Sequence, residues 1–168
     1  MKLLLYILSF LFMSTLLYAQ AESNYEKLDD DEAGFVYKGT CTFADINALG
    51  DFRKSKADDY IPDAGSMTML KKDLSKYKII CFLGTWCEDS QEQLPVLYKV
   101  LHEADYPLQS VQLYAVDRDK KTMHGENDTY KIELVPTIIL LKDDEEIGRI
   151  VESPKGSIEK DLAAIIAP

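Results

Sequence analysis

The 168-residue chain carries 29 Asp and Glu against 19 Lys and Arg, a formal net charge of −10 at pH 7. Binding phosphate calls for a basic face, so this balance argues against nucleic acid and anionic membrane surfaces as partners. With 46% hydrophobic residues, no internal repeat and no low-complexity tract, the composition is that of one globular domain.

In chain order, residues 1–21 read as a leader. Lys2 supplies a positive start, Leu3 to Tyr18 is almost wholly apolar, and Ala19-Gln20-Ala21 offers small residues for cleavage after Ala19 or Ala21. The apolar run is shorter than the ~20 residues of a usual span, so a cleaved signal peptide is expected rather than an anchor through residues 3–18. Cleavage leaves about 147 residues, enough for one domain that buries roughly two thirds of its unfolded surface. It implies an exported protein, periplasmic or secreted, with no membrane attachment afterwards. Residues 22–33 read as an acidic linker; "LDDDE", Leu28 to Glu32, lacks the ligand spacing and glycine of an EF-hand loop. Export also places Cys41, Cys81 and Cys87 where disulfides persist, and an odd number leaves one thiol reactive, intermolecular or buried.

Gly34 to Thr40 predicts a short strand, and Thr42 with Asp45 a helix cap opening a weakly amphipathic segment to about Arg53. Met67, Leu70 and Leu74 at helical spacing predict a helix within Asp63 to Tyr77. Lys78 to Thr85 is a continuous apolar run suited to a strand buried on both faces. From Cys87 the period changes to helix, with Leu94, Leu97, Tyr98 and Leu101 on one side. Pro95 lies inside that helix, predicting a kink near Gln91. Val111 to Asp117 predicts another buried strand, Arg118 to Asp128 a loop, and Val135 to Val151 two strands joined by an acidic turn at Asp143 to Glu146. Ser157 to Ala167 predicts a closing helix capped by Ser157. This order implies an α/β domain with a central mixed sheet.

Cys87 follows the chain's only tryptophan, Trp86, and opens a helix. Unpaired backbone N–H groups and the helix dipole favour a thiolate there, the form that attacks disulfides; Glu88 and Asp89 oppose it. His102 and His124 have no second ligand at metal spacing. His124, Glu126 and Asp128 are better read as solvated loop charge, so no metal and no cofactor are expected.

These features in order resemble the thioredoxin superfamily, and more narrowly an exported bacterial thioredoxin-like protein. A buried strand runs into Trp86-Cys87, Pro95 stands eight residues after the cysteine, and "YKIELVPTIILLKDDEEIGRIV" is similar to the family's Tyr-x-Ile-x-x-x-Pro-Thr strand, turn and returning strand. The resemblance covers Tyr77 to Ala167. It implies a three-layer α/β/α fold with core 77–167 and an N-terminal helical extension, 34–76, before it. It also implies a cis Val135–Pro136 bond beside Cys87, with Val135 and Pro136 holding substrate; Trp86 is expected to be an exposed aromatic beside the site that contacts substrate.

Two positions depart from the family. Ser90 stands where the second cysteine would be, and a hydroxyl cannot resolve a mixed disulfide; its implied role is to support the Cys87 thiolate. Cys81 stands where many thioredoxins carry a buried carboxylate. It is a candidate secondary thiol or a small buried side chain, and Cys41 is a weaker candidate partner for Cys87. Two functions follow. One is a monothiol oxidoreductase or isomerase, with Cys87 and Ser90 catalytic and protein or small-thiol disulfides as substrates. The other is a non-catalytic module that binds an extended peptide or partner protein in the same groove.

Overall fold

The computed structural model describes residues 23–50, 52 and 57–167. The leader expected over 1–21 lies outside the described residues, as does Arg53. A six-stranded sheet runs in the order β1-β2-β4-β3-β5-β6. Its strands are β1 (Asn24–Asp30), β2 (Gly34–Cys41), β3 (Lys78–Leu83), β4 (Gln112–Ala115), β5 (Thr137–Lys142) and β6 (Glu145–Val151). Only β3 and β4 pair in parallel, joined through a long helix, and every other neighbouring pair is antiparallel. The sheet is therefore mixed, as the order of elements implies.

The acidic linker expected over 22–33 is not a linker. Residues Asn24–Asp30 form the edge strand β1, paired with β2 from Asn24↔Thr40 to Asp30↔Gly34. Asp and Glu are poor strand formers, so local preference hid it. Cross-strand contact wins instead: Tyr25 stacks on Tyr37 at 4.2 Å, and Lys27 sits 4.6 Å over the Phe35 ring. Glu26, Lys27 and Asp29 are exposed on this edge, where charge discourages pairing with another chain. The extension before residue 77 is thus half strand, a β1–β2 hairpin followed by α1 (Phe43–Asn47) and α2 (Ala64–Asp73).

Local signals set the helix starts. Thr42 and Asp45 form a reciprocal cap on α1, which ends at Asn47, well short of the expected Arg53. The Asp63 side chain caps α2, whose Met67 and Leu70 are buried; Leu74 continues that face in a 3₁₀ turn. Helix α3 (Glu88–Glu103) carries Pro95 inside a continuous helix. A single turn, α4 (Glu126–Thr129), interrupts the loop after β4, and α5 (Ile158–Ile166) closes the chain. The β5–β6 turn is tighter than the expected four residues. Lys142 pairs with Glu145, and Asp143 and Asp144 both take positive φ, as a two-residue hairpin of this twist requires.

Strand alternation divides the interior in two. Cys41, Ile79, Cys81, Leu83, Leu113, Ala115, Ile138 and Leu140 pack with α1, α2, α3 and α5 in the larger core. Ile80, Phe82, Ile139 and Leu141 point the other way, against Val116, Ile132 and Val135. The three layers are unequal: helices fill one side, while the loop carrying α4 covers the other.

One buried carboxylate ties the helical layer together. Glu159, in the first turn of α5, is only 2% exposed. It accepts hydrogen bonds from the Tyr60 hydroxyl (2.6 Å), the Ser157 hydroxyl (2.6 Å) and the Asp63 backbone N–H (3.1 Å). Burial alone would raise its pKa, but these bonds from Ser157, Tyr60 and Asp63 outweigh burial and hold it below the ordinary glutamate value. Because the folded value is depressed, the stabilisation is present above the unfolded pKa and is lost as pH falls through the folded one. Glu159→Ala is therefore expected to cost about 1–3 kcal/mol by urea unfolding at neutral pH, by stranding three donors. The gap between the two proteins should narrow as pH drops below about 4.5; a gap that stays constant down to strong acid would contradict this role.

Candidate active site

The site is built where β3 ends and α3 begins. Gly84 follows the strand, and its carbonyl accepts from the Cys87 N–H at 3.0 Å, closing a tight turn. Cys87 then caps α3 with extended backbone, φ −92° and ψ 122°, so its thiol stands at the helix start as the sequence predicts. The turn has no room for a side chain at Gly84. A Cβ there would lie 2.8 Å from the Trp86 ring and 3.1 Å from the Cys87 Cβ. Glycine is what lets the indole and the thiol-bearing residue close over the same spot.

Cys87 is half-buried, and its Sγ–H donates to the Val135 carbonyl at 3.3 Å. The Val135–Pro136 bond is cis. Beyond it, the Pro136 carbonyl accepts from the Glu152 N–H at 2.7 Å, bringing the end of β6 to the same rim. Cys87, Trp86, Val135 and Pro136, far apart in sequence, thus meet at one end of the sheet.

The hydrogen bond that Ser90 makes goes to backbone rather than to the thiol. The residue is fully buried, and its Oγ accepts from the Gly84 N–H at 3.1 Å. A second brace runs beside it, from the Gln91 side-chain amide to the Thr85 carbonyl at 2.9 Å. The Thr85 hydroxyl in turn accepts from the Tyr37 N–H on β2 at 3.0 Å. Ser90 therefore fastens the strand end to the first turn of the helix, a placement that its position in sequence could not distinguish from contact with sulfur.

Cys81 is not placed to act as a second thiol. It projects into the larger core, whereas Cys87 packs against the opposite face of the sheet. Its Sγ–H donates weakly to the Phe82 carbonyl at 3.7 Å, and burial pushes the thiol up to about 12. Cys41 is buried on the same face as Cys81, and burial holds it well above the ordinary thiol range. Cys41 and Cys81 flank Leu113 from opposite sides, so they stand two strand spacings apart. At about 4.8 Å per spacing this exceeds the ~7 Å Cα limit for a disulfide. All three cysteines are free.

Trp86 is not the exposed aromatic that the sequence suggests. Its indole N–H donates to the Val116 carbonyl at 3.1 Å, and the Arg118 guanidinium lies 5.3 Å over the ring. Arg118 is itself held by the β1–β2 turn. Nε and Nη2 bond Asp30 at 2.7 and 2.8 Å, and Nη2 reaches Glu32 at 2.8 Å. Asp30 also accepts from the Glu32 and Ala33 N–H groups. The Arg118 hydrogen bond, then these backbone bonds, hold the Asp30 carboxyl well below the usual carboxylate range. The acidic run thus latches the residue next to the thiol. Sequence reasoning missed Arg118, Asp30 and Thr85, since their partners are 88 and 48 residues away.

The loop polar residues serve the loop. His124 N–H and the Thr122–Asn127 pair bond within 122–127, and Asp128 meets Lys121 at 2.9 Å. Among the described residues no group of three or more His, Cys, Asp or Glu could hold a metal ion.

Comparison with known proteins places this arrangement. The family model described as Thioredoxin matches residues 67–166. Thioredoxin H2-1 of Oryza sativa subsp. japonica is 29% identical over 91 residues, 54% of this chain; the chain spans 62% of that relative's length. A protein of unknown function from Pseudomonas aeruginosa superposes with a TM-score of 0.50 at 18% identity, over 73% of this chain and 84% of its own. An HIV epitope-scaffold gives 0.54 at 18% identity, over 76% and 92%.

Two variants test the site's construction. Gly84→Ala is expected to destabilise the fold by about 1–3 kcal/mol through overpacking against Trp86 and Cys87, read by urea unfolding. Arg118→Ala is expected to loosen the sole tryptophan, seen as a red-shifted emission and stronger acrylamide quenching at unchanged far-UV circular dichroism. Emission identical to wild type would show that the guanidinium does not hold the ring.

Proposed function

The chain belongs to the thioredoxin family, and from that premise we propose that it carries out thiol–disulfide exchange in the cell envelope through one nucleophile, Cys87. The observation that carries this reading is the contrast among its thiols. Cys87 alone opens a helix beside the cis Val135–Pro136 segment, half-exposed, while Cys41 and Cys81 are sealed on the other face of the sheet.

The Cys87 thiolate attacks one sulfur of a substrate disulfide. The substrate S–S bond breaks as the Cys87–substrate S–S bond forms, and the second sulfur leaves as a thiolate. Release then needs a thiol from outside, because residue 90 offers a hydroxyl already engaged with Gly84. The protein is thus suited to exchanging or isomerising disulfides when the substrate or a small thiol supplies the second sulfur. The Val135–Pro136 segment supplies an edge on which an extended protein substrate can lie beside Cys87. The signal-like residues 1–21 support an exported location.

One observation favours the alternative, a non-catalytic module that binds an extended peptide. Ser90 is integrated as a structural brace, so the site has no trace of a working release step.

A single experiment separates the two. Incubated with an activated aromatic disulfide, the wild type is expected to form one mixed disulfide at Cys87 that persists until thiol is added, and Cys87→Ala none. Ser90→Cys is expected to release the adduct about tenfold faster or more without added thiol, because resolution becomes intramolecular. A wild-type Cys87 that reacts no faster than an unfolded cysteine would leave the binding module as the reading.

A further inference from the structure

Resting on that thiol-exchange reading, we infer that the site selects cationic disulfides, namely segments in which Lys or Arg flanks the cysteine. The rim around Cys87 combines two exposed apolar side chains with four exposed carboxylates. Leu134 and Val151, each 41% exposed, lie on either side of the Val135–Pro136 segment. Leu134 precedes Val135, and Val151 precedes Glu152, whose N–H bonds the Pro136 carbonyl. A carboxylate adjoins each, Glu133 and Glu152, and Glu88 and Asp89 directly follow Cys87.

The nearby cations do not cancel this charge: Lys131 and Lys155, exposed two and three residues from Glu133 and Glu152, leave the four carboxylates in excess. Arg118, stacked on Trp86, is already met by both Asp30 and Glu32. Lys38 is bound to Asp117 at 2.8 Å, with both side chains largely buried. A substrate approaching the sulfur therefore meets an apolar strip within a net negative field. That field draws a positive chain inward and repels a negative one, with a strength that salt reduces.

The test compares exchange of Cys87 with cystamine, 2-hydroxyethyl disulfide and 3,3′-dithiodipropionate. In each case the Cys87–substrate S–S bond forms, the substrate S–S bond breaks, and one thiolate leaves. Leaving thiolates differ in intrinsic ability, so each rate is divided by that of the same disulfide with a neutral thiol that is half of none of them, 3-mercapto-1-propanol. At about 20 mM salt the normalised rate should be tenfold or more greater for cystamine than for dithiodipropionate, shrinking to about twofold at 0.5 M. Glu133→Gln with Glu152→Gln should reduce the low-salt ratio at least threefold. Asp143→Asn with Glu145→Gln removes the same charge at the far end of the β5–β6 hairpin, roughly 15–20 Å away by strand rise, and should leave it unchanged. Equal normalised rates for all three disulfides, or equal effects of the two double variants, would overturn the inference while leaving thiol exchange standing. No exchange with any disulfide would overturn both.

Discussion

Everything at the functional end of this molecule depends on a close approach at one residue without a side chain. At Gly84 the chain stops being strand and begins to turn into helix, and three things converge there. The Cys87 N–H closes on its carbonyl, the Ser90 hydroxyl accepts from its N–H, and the Trp86 ring and Cys87 Cβ fill the space a side chain would need. The strand is held by its neighbours on both sides, β4 and β5, and the helix is anchored by buried Leu94, Leu97 and Leu101. The short link between two fixed bodies therefore fixes the Cys87 backbone, the point from which the sulfur projects toward the Val135 carbonyl.

Much of this was legible in the sequence. Apolar runs, caps and the change of period at Cys87 set β3, β5, α3 and α5, because those signals are local and the elements are long or deeply buried. The resemblance around Trp86, Cys87 and Pro136 implied a cis Val135–Pro136 bond beside Cys87, and the two do meet. What the sequence concealed was of two kinds. An acidic edge strand, Asn24–Asp30, looks like a solvated linker because its stability comes from its partner strand. The direction of a polar side chain is equally hidden: Ser90 and Cys81 occupy positions that suggest redox roles, yet one braces backbone and the other faces the opposite core.

The two departures from a dithiol site make physical sense together. A buried hydroxyl at residue 90 keeps a hydrogen bond to the Gly84 N–H, which an apolar replacement would abandon, so the geometry around Cys87 survives without a second sulfur. A neutral thiol at Cys81 spares the larger core a buried charge. The scaffold presents the Cys87 sulfur at the helix start and fills position 90 with a backbone brace.

The β1–β2 hairpin also sets the limit of what can be cut away. Strand β2 pairs with β4, the Tyr37 N–H bonds the Thr85 hydroxyl two residues before Cys87, and the hairpin turn grips Arg118 above Trp86. A fragment trimmed to the segment shared with relatives would bare the edge of β4 and drop the wall behind the indole. The smallest piece that can be transplanted with its site intact is therefore larger than the homologous segment, and its boundary falls ahead of Asn24.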